Sequence, residues 1–364
     1  MDNLTHTLFG ATLGRAAFPR VGRGTTAALL LASNAPDVDI VTTAGGALNY
    51  LRWHRGPTHG PLGVVGLGVV CAGIVWLWQR TVDRHHRSDH ASYVGLFLVA
   101  VAGVTAHILM DLPTSYGTRL LSPFDWHWYA ADLMPIIDIY LLVVLAAGLM
   151  LGRVRPAIRR QAACLVLAFM AANYVARGLA HQRAVQTAES LMGPEAPPRC
   201  AGAVSETLFD RWPLPGTAAR HALGASRCLV EVAAVPTFFS PFQWQIIARL
   251  SDGYRMLTVD LLTDGNHPRD GRDAPWRAAV PHPDQWTPSV MRAAESELGR
   301  VFLGFSRFPA TRSIVNEDHS AEVRWVDLRF VQGPARRPGA RRGIFSAMVL
   351  LAPDGRIVSE QLGE

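Results

Sequence analysis

The chain has 364 residues, 49% of them hydrophobic, and a formal charge of +6 at pH 7. Such a length accommodates two domains, and the apolar fraction is high for a wholly soluble protein. The positive charge comes from arginine-rich loops with no basic stripe interleaved with aromatics, which fits the positive-inside bias of membrane proteins and argues against nucleic-acid binding.

The apolar residues concentrate before about residue 176. Leu4 to Phe18 and Thr25 to Ala35 are short helical patterns separated by Pro19-Arg20-Val21-Gly22-Arg23-Gly24, each below the roughly 20 residues that cross a bilayer. Gly10 and Gly14, four apart, suit close helix packing. Asn34-Ala35-Pro36-Asp37-Val38-Asp39 reads as a helix end with two carboxylates, and a polar loop leads on to Trp53-His54-Arg55-Gly56-Pro57-Thr58-His59. Pro61 to Trp78 and Ala91 to Met110 are good spans, the second with His107 near its end and Asp111 just beyond. Residues 112–132 are rich in aromatics and turn formers, as in an interfacial loop. Leu133 to Gly152 reads as a third span with Asp138 in its first part, and Gln161 to Ala176 as a shorter fourth.

Arg20 and Arg23, then Arg80, Arg84 and Arg87, then Arg153, Arg155, Arg159 and Arg160 fall in alternate loops, which the positive-inside rule places in the cytoplasm. The opposite face then collects the N-terminus, the Asp37/Asp39 loop, both histidines of the His54–His59 motif, His107, Asp111 and the C-terminal half. His107 and Asp111 are four apart on a helix, so their side chains share one side; Asp2 and His6 repeat that spacing. Ionisable groups at the ends of membrane helices are costly and tend to be functional. Mixed imidazole and carboxylate groups suit a divalent metal, so a metal site is expected in this set. Such a metal acidifies water at neutral pH. A nearby carboxylate such as Asp39, or His54, is placed to carry the proton, and Arg55 and Arg119 are candidates to hold a phosphate. The other reading of the same residues is a hydrogen-bonded polar cluster that locks helix ends together.

Met1-Asp2-Asn3-Leu4-Thr5-His6 with Gly10, Pro36-Asp37-Val38-Asp39, His54-Arg55-Gly56-Pro57-Thr58-His59, His107 with Asp111, and Tyr116-Gly117-Thr118 with Pro123-Phe124 together resemble the YdjM-like family of inner-membrane metal-dependent hydrolases. Their order is also similar to that in zinc-dependent phospholipase C and related phosphoesterases. The resemblance covers residues 1 to about 150. It implies His6, Asp37, His59, His107 and Asp111 as metal ligands, with His54 and Asp39 next. It implies a divalent cofactor, zinc first, as one or two ions, with manganese or iron as alternatives. Where family members often carry Ser after the second histidine, this chain has Gly60.

In the C-terminal half, Arg177 to Met192 reads as a helix leaving the membrane, followed by a linker at Gly193-Pro194 and Pro197-Pro198. Strand-like runs occupy Cys228 to Val235, Gln243 to Leu250, Tyr254 to Leu262, Glu322 to Phe330, Ile344 to Leu351 and Arg356 to Ser359. Ser251-Asp252-Gly253 and Pro353-Asp354-Gly355 signal turns, Trp286 to Phe302 reads as a helix, and Glu317-Asp318-His319 as a solvated turn. Cys71 and Cys164 lie in apolar runs and read as buried, whereas Cys200 and Cys228 are free to pair if their half is extracytoplasmic. The acidic start predicts no signal peptide.

The expected fold is an all-α multi-span membrane domain over residues 1–180, a helix and linker over 181–198, and a small α+β soluble domain with an antiparallel sheet over 199–364, the last extracytoplasmic. The expected function is a bacterial-type inner-membrane, metal-dependent hydrolase. Its substrates would be phosphoester bonds in lipids or lipid-like molecules at the outer face, with membrane lipids as partners and no nucleic acid. The alternative is a non-catalytic membrane protein with a structural or sensing metal site and a partner-binding soluble domain. A secondary transporter is a weaker third reading, since no internal repeat is visible.

Overall fold

A computed structural model describes residues 1–19, 21–83, 89–192, 197–200, 209–213, 227–264, 276, 279–331 and 345–363. They fall into two compact units, Met1–Thr42 with Trp53–Gly178, and Thr43–Arg52 with Leu179–Glu364. The Gly193-Pro194 part of the expected linker, and Arg20, Arg84 and Arg87 of the basic loops, lie outside the described residues.

The first unit is helical. Asp2 caps α1 (Asn3–Ala17) by accepting the Thr5 N–H at 3.0 Å. Gly10 and Gly14 let α1 approach α2 (Thr25–Ala32): a Cβ on Gly10 would lie 2.5 Å from Ser33 Oγ, and one on Gly14 3.1 Å from the Leu29 side chain. A 3₁₀ segment, Ala35–Gly45, follows, then α3 (Ala47–Trp53) and a 3₁₀ turn at Pro57–His59. The helices α4 (Pro61–Thr81) and α5 (Tyr93–Asp111) are both long and apolar enough to cross a membrane. Leu62, Val65, Val69, Ile74 and Leu77 of α4 face outward, as a lipid-facing helix requires.

Two of the expected spans differ in the structure. The expected span from Leu133 starts only at Ile139, as α6 (Ile139–Val154). Pro135 disfavours helix in the residue before it, and Asp138 takes the N-cap position by accepting the Leu141 N–H at 2.9 Å. At 1.5 Å per residue α6 is about 24 Å long, shorter than a hydrocarbon core of about 30 Å. Conversely, the expected short span and exit helix are one helix, α7 (Arg159–Met192), whose interior contains no proline. Three helices among the described residues thus have the length and apolarity to cross a bilayer. Cys164 on α7 is also exposed rather than buried.

The second unit contains two antiparallel four-stranded sheets. One has the order β3 (Leu229–Pro236), β4 (Gln243–Leu250), β5 (Gly253–Asp260), β6 (Val280–Pro283); the other runs β10 (Ile357–Leu362), β9 (Ser346–Leu351), β8 (Ala321–Asp327), β7 (Pro309–Val315). The strands β6 and β7 escaped sequence reading because both contain proline, which weakens a strand signal; the short strands β1 (Trp128–Ala130) and β2 (Asp210–Trp212) escaped it too. The helix expected at Trp286 to Phe302 is two, α8 (Pro288–Ala294) and α9 (Glu297–Phe305), because Ser296 caps the second through the Gly299 N–H at 2.9 Å. Gly355 adopts φ +80°, so the Pro353-Asp354-Gly355 turn needs its glycine. The Glu317-Asp318-His319 turn closes on itself, with Asp318 accepting from Ser320 N and Oγ at 3.0 and 2.6 Å. Cys200 and Cys228 form a disulfide.

Asp138 pairs with Arg177 at 2.7 Å, both buried, which ties α6 to α7. Breaking a buried pair from one side leaves an uncompensated charge and costs about 3–5 kcal/mol. Arg177→Leu is therefore expected to lower thermal stability markedly, and Arg177→Leu with Asp138→Asn, which keeps the helix cap, to recover most of the loss. Equal melting temperatures for the single and double variants would contradict this role.

Candidate metal centre

The helix α5 ends in the site. His107 and Asp111 lie on its last turn, with His107 Nε2 at 3.3 Å from Asp111 Oδ2. His107 Nδ1 is 2.7 Å from the Ser33 carbonyl oxygen. A carbonyl only accepts, so Nδ1 carries the proton and the Nε2 lone pair points into the site. The carboxylates Asp37 and Asp39 come from the 3₁₀ segment, whose tight coil brings both toward the same place. His59 comes from the turn that follows Gly56-Pro57, closed by the His59 N–H to the Gly56 carbonyl at 2.8 Å.

Four of these groups converge. His59 Nε2 and His107 Nε2 are 3.3 Å apart. Asp37 Oδ1 lies 3.8 Å from the first and 3.6 Å from the second. Asp111 Oδ2 is 3.5 Å from His59 Nε2, and ligand atoms of all four residues lie within 4.8 Å of one another. A tetrahedral metal with bonds of about 2.0–2.1 Å sets its ligand atoms about 3.3–3.4 Å apart, close to these spacings. Asp111 Oδ2 is buried and makes no hydrogen bond among the described residues, which costs energy unless a cation completes it. Two nitrogens and two carboxylate oxygens fit zinc, with manganese or iron also compatible. Among the four, Asp37 alone is partly exposed and gives the site its edge to the outside.

The other sequence-predicted residues ring this set. His6 stacks on His107 with ring centroids 3.8 Å apart, and its Nε2 lies 3.4 Å from Asp111 Oδ1; it stands beside the four rather than among them. The Met1 α-amino group pairs with the same oxygen. Asp39 Oδ1 faces His54 Nδ1 at 3.2 Å, and Asp39 Oδ2 accepts the Arg55 backbone N–H at 2.7 Å. That bond holds Arg55 at φ +50°, a strained conformation for a non-glycine residue. The Arg55 guanidinium bonds Asp111 Oδ1 at 3.0 Å and the Gly117 carbonyl at 2.9 Å, and lies 4.8 Å from the Tyr116 ring. Arg119 sits between the indoles of Trp128 and Trp126, at 4.4 and 5.1 Å. Asp138 stays with Arg177, in helix capping.

Burial sets the charge states. It holds His59 well below the ordinary imidazole range, with the neighbouring histidines and Arg55 adding to the effect, so the ring is neutral and able to donate a lone pair. His54 is lowered by burial too, against the opposing pull of Asp39. Burial works against ionisation of Asp37, but the neighbouring His107 and the charge of Arg55 hold it below the usual carboxylate range. Arg119 is pushed down to about 10 by burial.

Sequence reading missed the roles of Tyr116, Trp126, Trp128 and the Ser33 carbonyl. The Tyr116-Gly117 pair inside the motif was the available signal; a backbone carbonyl has none. Gly60 has a structural reason: a Cβ there would lie 1.7 Å from the Ser122 carbonyl oxygen. The site also has an outer support in Thr58, whose Oγ1 lies 3.0 Å from His59 Nδ1. Loss of such a partner typically weakens metal binding 10–100-fold. Thr58→Val is expected to weaken affinity by about 10-fold or more in a chelator competition; wild-type affinity in that variant would remove Thr58 from the site.

Comparison with known proteins follows the same residues. A family model described as "YdjM inner membrane protein" matches residues 1–184. The chain is 29% identical over 151 residues to the uncharacterized protein YfhP of Bacillus subtilis (strain 168). That match takes in 39% of this chain and 43% of YfhP, so the chain spans less than half of this relative's length. No solved structure matches. With the family model covering half of the chain, and its segment containing every group of the candidate metal centre, this protein belongs to the YdjM inner membrane protein family.

Proposed function

We propose that this membrane protein is a metal-dependent hydrolase of phosphoester bonds in lipid or lipid-like substrates, working at the outer face of the bilayer. The observation that carries the proposal is the convergence of Asp37, His59, His107 and Asp111 at the end of a membrane-spanning helix, with an arginine against one of the four. A divalent ion held there supplies Lewis-acid polarisation and acidified water. Asp37, His59, His107 and Asp111 would hold it, with His6 beside them for a second ion.

The chain's own residues divide the remaining work. Arg55, fixed by Gly117 and Asp111, presents its positive charge to a phosphoryl group at the metal edge. Arg119 adds a second cation, kept in place by two indoles. His54, oriented by Asp39, accepts a proton from the attacking water or returns one to the leaving oxygen. Trp126, 40% exposed, and Phe124, 75% exposed, supply the apolar contact that a lipid chain needs beside a charged headgroup.

Two observations support the outer face. The site lies at the start of α4 and the end of α5, whereas Arg80 and Arg23 lie at the far ends of the same bundle, about 30 Å away along a 21-residue helix. Basic residues favour the cytoplasm. Independently, the Cys200–Cys228 disulfide suits an oxidising compartment.

The test is hydrolysis of phosphodiester and phospholipid substrates by purified protein loaded with zinc, manganese or iron. We expect metal-dependent turnover that falls about 10²–10⁴-fold in His54→Gln, with metal content unchanged. Metal-loaded protein inactive on every substrate, with a full ligand shell by X-ray absorption, would favour the structural-site reading instead. A reporter fused after Gly193 is expected outside the cytoplasm; cytoplasmic signal from it would reverse the assigned face.

A further inference from the structure

The turn between β3 and β4, Thr237-Phe238-Phe239-Ser240-Pro241-Phe242, carries three phenylalanines and sits in a stretch without a single charged residue between Glu231 and Arg249. Phe239 is 77% exposed and Phe242 44% exposed. The polar groups of the turn are largely satisfied from within. Thr237 Oγ1 donates to the carbonyls of Ser240 and Gln243 at 3.2 and 3.0 Å, and the Phe242 N–H donates to Ser240 Oγ at 3.2 Å. The Trp244 indole donates to the Pro241 carbonyl at 3.2 Å, and the Phe242 carbonyl accepts the Leu261 N–H at 2.9 Å. Exposed aromatics on a turn that meets much of its own hydrogen bonding suit the boundary of a bilayer.

The placement of the turn along α7 points the same way. The Trp244 ring meets His181, with centroids 5.5 Å apart, and shares a core with Ala184, Val185, Ala188 and Leu191. At the other end of β4, Ala248 and Leu250 pack with Met192. The strand therefore runs parallel to the helix, with its turn end on the side of Leu179, where the apolar stretch of α7 ends. Phe242 lies two residues past Trp244, about 7 Å at strand rise, with Phe238 and Phe239 farther round the turn. This carries the turn beyond His181 toward Leu179, itself 63% exposed. The opposite end of β4 instead displays an exposed ion pair, Arg227 with Asp252.

We propose that the Phe238–Phe242 turn is a membrane-docking element, its rings seated at the boundary between headgroups and acyl chains of the leaflet that α7 leaves. The occupant of this aromatic surface is lipid. Its contacts hold the sheet of β3 and β4 down along the helix.

The test uses the full chain in lipid nanodiscs, with Cys164→Ser to remove the exposed free thiol. An environment-sensitive fluorophore is attached at Phe239→Cys or, as the control at the opposite end of the strand, Asp252→Cys. With lipids carrying a nitroxide near the headgroup, emission from position 239 is expected to be blue-shifted and to lose intensity, while position 252 shows neither change. Quenching at 239 no greater than at 252 would overturn the proposal. So would an unquenched label at 239 together with 239-to-239 crosslinks between copies, which would assign the surface to a second copy of the chain.

Discussion

Asp111 is a carboxylate with no solvent exposure at the end of a membrane-spanning helix. An ion in that position is expensive unless opposite charge surrounds it. In the first unit Arg55, from the turn after α3, supplies that charge at one oxygen, while α1 brings His6, the same turn brings His59 and α5 itself brings His107 as imidazoles around the carboxylate. These groups come from segments that are far apart in sequence, so Asp111 defines where α1, α4 and α5 converge. Arg55 neutralises one of its oxygens, while the other faces the two imidazole nitrogens. That asymmetry separates a side of the carboxylate fixed by Arg55 from a side that could hold a metal.

The backbone around the site is shaped by the same demand. Gly60 brings the start of α4 against the Ser122 carbonyl, and Gly117, at φ +88°, turns its own carbonyl onto Arg55. A side chain at Gly60 would push the loop that follows α5 away from the centre, and one at Gly117 would strain a left-handed backbone. The indoles of Trp126 and Trp128 hold Arg119 in that loop. The site is thus a helix end closed by a loop, and its rigidity depends on glycines as much as on the ligands.

Much of this was legible in the sequence for identifiable reasons. Long uninterrupted apolar runs mark α4 and α5, and β4 was bounded correctly at Gln243 and Leu250 because turn residues flank it on both sides. The motif histidines and aspartates were visible because ionisable groups stand out against apolar helix ends. What escaped depends on partners distant in the chain. Nothing local in Asp138 announces Arg177, 39 positions away, and nothing in Ser33 announces that its carbonyl fixes the tautomer of His107. The grouping of Thr43–Arg52 with the second unit is of the same kind; Arg52 pairs there with Glu297. Periodicity carries no trace of such contacts.

The central claim is that the buried His/Asp cluster is a metal centre rather than a polar lock between helices. The most direct measurement is metal content by mass spectrometry on protein purified without chelators, comparing wild type with His107→Ala and Asp111→Asn. At least one equivalent of a divalent metal is expected in the wild type, and its loss in both variants. Wild-type protein that carries no metal and takes up none of zinc, manganese or iron would contradict it, as would variants that retain the full complement.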